Sequence, residues 1–187
     1  EMVLRESTDD KVRGYANNIQ SASDMLLGLV NDILDFTKIE AGQMELVMAP
    51  YSLASVIQDE MLLLSARILE RPIAAKVEIN QELPSQLFGD ELRIKQIITN
   101  LLSNAAKYTQ EGSVTLRAYY KWLDDENINL YISVVDTGIG IRQEDLSKLF
   151  ESFKRLELSK NRDVEGAGLG LSITKNLVDL MKGTIAA

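Results

Sequence analysis

The chain has 187 residues, 45 % hydrophobic and 26 % charged, which is enough apolar material for a core and excludes disordered, collagen-like and fibrous classes. The 20 Lys and Arg against 28 Asp and Glu give a net charge of −8, the wrong sign for an electrostatically driven binder of nucleic acid or of anionic membrane, so any nucleotide needs a local site. The absence of both Cys and His removes disulfides, thiolate nucleophiles, the commonest general base and most transition-metal ligands.

Apolar residues recur at Val12, Tyr15, Ile19, Ala22, Leu26, Leu29, Ile33 and Phe36, in alternating steps of three and four. This is the seam of a coiled coil or helical bundle. Asp9 or Asp10 is the expected N-cap and Gly42 the stop, giving a helix of about 30 residues. Met25, Val30 and Leu34 add a second stripe, which favours a bundle with another helix over one lying on its own domain. After Gly42 the pattern predicts a short strand at Met44 to Met48, a helix from Ser52 to Glu70 and a strand at Lys76 to Asn80. A helix follows over Gly89 to Tyr108, capped by Asp90, with Ile94, Ile97, Ile98, Leu101 and Ala105 on its apolar face. Strands at Ser113 to Trp122 and Ile128 to Asp136 flank a turn at residues 124–127. A short helix near Arg142 to Phe150 and a final one ending at Met181 complete the chain. Without regular β-α-β alternation, these elements predict an α+β sandwich, helices on one face of a mixed or antiparallel sheet. The apolar runs Met25 to Val30 and Met61 to Leu64 fall well short of the roughly 18 to 20 residues that span a bilayer. No basic leader precedes an apolar stretch. The expected location is therefore cytoplasmic, with membrane attachment only through a longer parent.

Two glycine clusters invite a nucleotide reading, yet neither fits the familiar loops. No G-x-x-x-x-G-K-[ST] segment exists, and the G-x-G-x-x-G spacing fails from Gly138, Gly166 and Gly168 alike. What remains is a different constellation. Asn100, Asn104 and Lys107 stand at i, i+4 and i+7, on one polar helix face. An amide oxygen beside an ammonium can place a magnesium-bound phosphate, because hard magnesium takes oxygen ligands and keeps waters and phosphate oxygens. Asp136 ends an apolar strand at a glycine turn, where a carboxylate can accept from a base's exocyclic amine while Gly138 and Gly140 allow close approach. The cluster Gly166, Gly168 and Gly170, with Leu169 and Leu171, opens a helix whose free N–H groups form an anion site. Singly, each has an ordinary explanation as a solvated helix residue, an Asx-turn or a helix cap. Together, in this order, they point to a nucleotide site.

In these motifs the chain resembles the ATP-binding catalytic region of sensor histidine kinases, which has the Bergerat fold. Residues 100–109, NLLSNAAKYT, resemble the family's N box, and residues 136–140, DTGIG, its first glycine box. Residues 150–153, FESF, resemble the F box, and residues 166–171, GAGLGL, the second glycine box. Residues 31–42 resemble the end of the second helix of the dimerisation and phosphoacceptor domain. The resemblance implies a partial dimerisation region at 1–42 and a catalytic domain at 43–187, with the family's closing strand or hairpin expected beyond it. It also implies ATP and Mg2+ as cofactors, with Asn104 on magnesium, Lys107 and Tyr108 on phosphate or ribose, and Asp136 on the adenine amine. Arg155 and Arg162 become candidates for the γ-phosphate, under a lid over about residues 154–166. Related ATPases place a glutamate base where this chain has Asn100, and an amide cannot take a proton from water, so phosphoryl transfer suits the site better than hydrolysis. The implied partners are a second copy through the helix at 12–36 and a response-regulator receiver domain. The implied phosphoacceptor histidine lies in the preceding helix, so these residues alone are not expected to autophosphorylate on histidine. The alternatives are a nucleotide-binding or dimerisation scaffold without kinase activity, and a Bergerat-type ATPase.

Overall fold

The computed structural model describes residue 2, residues 7–151 and residues 168–187. It divides into two compact units, Glu1–Met44 and Glu45–Ala187. In the first, helix α1 runs Asp10–Glu40. The Asp9 Oδ1 caps it, accepting from the Lys11 amide at 2.8 Å and the Val12 amide at 3.4 Å. At the far end Gly42 turns to φ 64°, while the Gly42 and Gln43 amides donate to the Ile39 and Lys38 carbonyls, each at 2.9 Å. That closure needs the left-handed region, which glycine reaches without strain. Along the predicted seam Val12, Tyr15, Ile19, Leu26 and Ile33 are between 40 and 68 % exposed.

The second unit contains β1 (Ala49–Tyr51), α2 (Leu53–Arg67), β2 (Ile73–Ile79), β3 (Leu87–Gly89), α3 (Glu91–Tyr108), β4 (Gly112–Trp122) and β5 (Ile128–Asp136). A 3-10 helix (Gln143–Lys148) and α4 (Gly170–Leu180) follow. The main sheet has the order β2-β4-β5. β2 runs parallel to β4 from the pair Ile73↔Gly112, and β5 runs antiparallel to β4 from Trp122↔Ile128 to Val114↔Asp136. Period-two alternation puts Val114, Leu116 and Ala118 of β4 on one face, where α2 covers them with Val56, Ile57 and Leu64 and α3 with Ile98, Leu102, Ala105 and Ala106. The architecture is the expected α+β sandwich, a mixed sheet with helices on one face.

Both covering helices begin at caps legible in the sequence. The Ser52 hydroxyl accepts from the Ser55 amide at 3.3 Å, and Asp90 Oδ1 from the Arg93 amide at 3.1 Å. Asp90 also explains a departure from expectation. Its Oδ2 accepts from the Val47 amide at 2.8 Å, so no strand forms at Met44 to Met48. Pairing starts instead at Ala49 and includes Pro50, opposite Phe88 in a two-stranded ribbon with β3, where a missing N–H is tolerated. β2 begins at Ile73 rather than Lys76 because its parallel partner does, and α2 ends at Arg67 rather than Glu70 in a turn over residues 68–72. The helix expected near Arg142 to Phe150 is only the 3-10 segment, which lacks a side-chain cap, and the last helix stops at Leu180.

Tyr51 is 6 % exposed, packed so close to β3 that a Cβ on Gly89 would lie 3.2 Å from its Cε1. Burial, and then the negative charge of Glu91, push its phenol up from 10.0 to about 12. The unfolded chain therefore releases this proton from about pH 10 upward while the folded chain keeps it to about pH 12, so stability falls across that window as pH rises. The loss is about 1.4 kcal/mol per pH unit. Urea unfolding at about pH 9 and about pH 11 should show the wild type losing roughly 1.4 kcal/mol more than Tyr51→Phe. A parallel fall in the two proteins would contradict a buried neutral phenol.

Candidate functional site

The burial that anchors α3 also fixes its rotation. With Ile98 fully buried and Leu102 3 % exposed, Asn100, Asn104 and Lys107 fall on the half-buried opposite side, as their spacing predicts. Among the described residues Asn104 makes no side-chain hydrogen bond, so both its oxygen and its amide remain available to a ligand. The Lys107 Nζ sits 5.3 Å from the Tyr108 ring centroid, near the end of the helix. Asn100 is engaged otherwise. Its Nδ2 donates to the Gly170 carbonyl at 3.2 Å and to the Thr174 Oγ1 at 3.3 Å, tying α3 to the first turn of α4.

β5 delivers Asp136 to the same end of the domain. Its Oδ1 accepts from the Gly138 amide at 2.8 Å and, in a long contact of 3.5 Å, from the hydroxyl of the fully buried Thr109. Its second oxygen carries no hydrogen bond among the described residues and is free to accept one. Gly138 must be glycine here. A Cβ at that position would stand 2.5 Å from the Tyr108 carbonyl oxygen, where the turn meets the end of α3. The Ile139 amide donates to that same carbonyl at 3.4 Å. Gly140 adopts φ 68° with open space around it, so it supplies conformation where Gly138 supplies closeness.

On the third side Gly168 turns with φ 73° into α4, Leu169 is 1 % exposed, and Gly170 is the first helical residue, followed by half-buried Leu171. The Ser172 hydroxyl donates to the Leu169 carbonyl at 2.9 Å, while the helix's first amides have no side-chain cap. Gly166, Arg155, Arg162 and the expected lid lie outside the described residues, as do Ser152 and Phe153 of the F box.

Three further residues shape the site without having been singled out in the sequence: Thr109 and Thr137 lie inside the N-box and first glycine-box segments, and Arg71 lies in no motif. Thr109 contacts Asp136 from the C-cap of α3. The Thr137 hydroxyl accepts from the Ser113 amide at 2.9 Å and donates to the Glu111 carbonyl at 3.2 Å, locking the glycine turn to the start of β4. Arg71 donates from its guanidinium to the carbonyls of Ala106, at 2.7 Å, and of Thr109. Each depends on a partner at least 24 positions away, which one sequence does not reveal.

The profile of the histidine kinase-, DNA gyrase B-, and HSP90-like ATPases matches residues 89–187, just over half of the chain. Sensor histidine kinase GacS of Pseudomonas protegens is 40 % identical over 171 residues, 91 % of this chain and 19 % of that protein. Signal transduction histidine-protein kinase BarA of Escherichia coli is 35 % identical over 185 residues, 99 % of this chain and 20 % of that protein. The chain thus spans about a fifth of the length of these curated relatives. Among solved structures, full-length ShkA in complex with AMPPNP superposes with a TM-score of 0.76 at 31 % identity, covering 98 % of this chain and 37 % of that one. The nucleotide-free catalytic domain of histidine kinase ThkA gives 0.57 at 26 % identity, covering 74 % of this chain and 84 % of that one. The matched residues hold α3 and its polar face, the Asp136 turn and the glycine entry to α4, and with them this chain belongs to the family of histidine kinase-, DNA gyrase B-, and HSP90-like ATPases.

Proposed function

We propose that this chain binds Mg-ATP between the polar face of α3, the Asp136 turn and the first turn of α4. In the longer protein it then passes the γ-phosphate to a histidine supplied from outside these residues, and from there to an aspartate of a response-regulator receiver domain. The observation that carries the reading is the Asp136 carboxylate. One oxygen is held by the Gly138 amide at 2.8 Å, which aims the other toward the donor that an adenine amine presents. ShkA, similar over nearly the whole chain, was crystallised with AMPPNP, which supports a nucleotide here.

The donor set fits magnesium carried in on the nucleotide rather than a resident protein-bound ion. Among the described residues no cluster of three or more acidic, His or Cys side chains could hold a metal, whereas Asn104 offers a hard, unengaged amide oxygen. When bound, magnesium supplies charge neutralisation to the phosphate oxygens. Asn104 and Lys107 orient the phosphates, the free amides at the start of α4 attract their charge, and Asp136 selects the base. Arg155 and Arg162 are proposed to meet the γ-phosphate. Asn100, already donating to α4, holds the phosphate-facing helix in position and supplies no base for water. The exposed seam of α1 supports a homodimer joined through residues 12–36. The same seam would serve a scaffold without kinase activity, which absence of nucleotide binding by the folded chain would favour. No helix of the described residues is long and apolar enough to cross a membrane.

Calorimetric titration with Mg-ADP tests the base contact. Asp136→Ala should weaken binding by about tenfold to a hundredfold, the equivalent of roughly 1.5 to 3 kcal/mol for a charge-assisted hydrogen bond. Unchanged affinity would remove Asp136 from the site. For Asn104→Ala the expected result is loss of the magnesium-dependent tightening of an ATP analogue, with the affinity measured in EDTA preserved. A variant that still tightened with magnesium would refute the assignment of Asn104.

A further inference from the structure

We propose that Arg71, in the turn between α2 and β2, is a positioning residue for base recognition, acting through the C-terminal end of α3 on Asp136. This rests on the nucleotide reading above. An α-helix leaves its last carbonyls without intrahelical partners and concentrates negative partial charge there. At the end of α3 two distant groups take up three carbonyls, two from its last turn and one from the C-cap. The half-buried Arg71 guanidinium spans the Ala106 and Thr109 carbonyls, and the Ile139 amide takes Tyr108 between them. Arg71 is itself anchored, since its own amide donates to the Ile68 carbonyl and the neighbouring Pro72 carbonyl accepts from the Gly112 amide, both at 2.9 Å.

The two groups at the helix end that touch the Asp136 turn are thus flanked by Arg71's contacts. One is the Tyr108 carbonyl, the surface against which Gly138 is packed too closely for any Cβ. The other is the Thr109 hydroxyl, on the very residue whose carbonyl Arg71 holds. A rigid planar fork holds both carbonyls from two nitrogens in fixed geometry, which a single, freely rotating ammonium nitrogen does not reproduce. If the fork is removed, the last turn of α3 is free to fray, the packing surface for Gly138 shifts, and the second Asp136 oxygen loses its aim. The phosphate-side contacts of Asn104 and α4 lie beyond this end and retain theirs.

The test is base discrimination by the full chain, read as the ratio of dissociation constants for Mg-ADP and Mg-IDP. IDP carries a carbonyl where ADP carries the amine, so the ratio reports the Asp136 contact. Partial unfolding lowers both apparent affinities by the same factor and cancels from the ratio, so a merely structural role would leave it unmoved. The wild type should prefer ADP by about tenfold or more, and Asp136→Ala should erase that preference. Arg71→Ala should reduce the preference by at least about threefold, and Arg71→Lys, retaining the charge but not the fork, should restore only part of it. A preference unchanged in Arg71→Ala overturns the proposal, and where that variant does not fold, an unchanged preference in Arg71→Lys overturns it equally. A wild type without preference, or a preference that survives Asp136→Ala, refutes the adenine reading of Asp136 and the role of Arg71 with it.

Discussion

Helix α3 has to satisfy opposite demands on its two sides, and that requirement organises the domain. Ile98, Leu102, Ala105 and Ala106 lie between 0 and 4 % exposed, packed with the β4 residues Val114 and Leu116. Burying a side chain the size of Ile98 or Leu102 is worth about 1.5 to 3 kcal/mol, so rotating the helix by one residue would forfeit several kcal/mol. The polar face inherits its direction from that packing and needs no bonds of its own to hold it. Asn104 can thus remain unengaged, as the proposed contact to a ligand requires.

The far end of α3 is held by different means. There the problem is carbonyls rather than side chains, and the solution comes from two turns, that of Arg71 and the glycine turn after β5, each tied in turn to the start of β4. Glycine makes the convergence possible at two places. Gly138 lets one turn close on the Tyr108 carbonyl. Gly112 sits at φ 109°, and a Cβ there would stand 2.1 Å from the Thr137 hydroxyl oxygen. The order Asp-Thr-Gly at residues 136–138 then has a reason for each letter. Asp136 presents the acceptor, Thr137 locks the turn to β4, and Gly138 permits the close approach.

These differences in mechanism separate what was legible in the sequence from what was not. The helices α1 and α3 and the β4–β5 hairpin each carry a period or a cap over nine or more residues, and the sequence reading located them to within one or two positions. β1 and β3 are three residues each, shorter than any alternation can register, and the first contains a proline that argues against a strand. The displaced start of β2 depends on the register with β4, a long-range fact. At the site the same division holds. The polar face of α3 follows from spacing, and Gly138 from standing beside Asp136. Arg71 and Thr109 act on backbone carbonyls and a side chain brought near only by folding; Arg71 stands in no motif, and Thr109 only closes the segment that resembles the N box.

Asn100 occupies the position from which the proposed site reaches across to α4. Its amide group donates to the Gly170 carbonyl, and to a Thr174 hydroxyl that itself donates to the same carbonyl at 2.8 Å. The Gly170 carbonyl only accepts, so the contact to it needs a donor from Asn100. A carboxylate in this position accepts only and would lose the contact to the Gly170 carbonyl, keeping at most a bond donated by the Thr174 hydroxyl. On the proposed reading this position therefore holds the glycine-led helix and supplies no base for water. The amide supplies the donor that the Gly170 carbonyl needs.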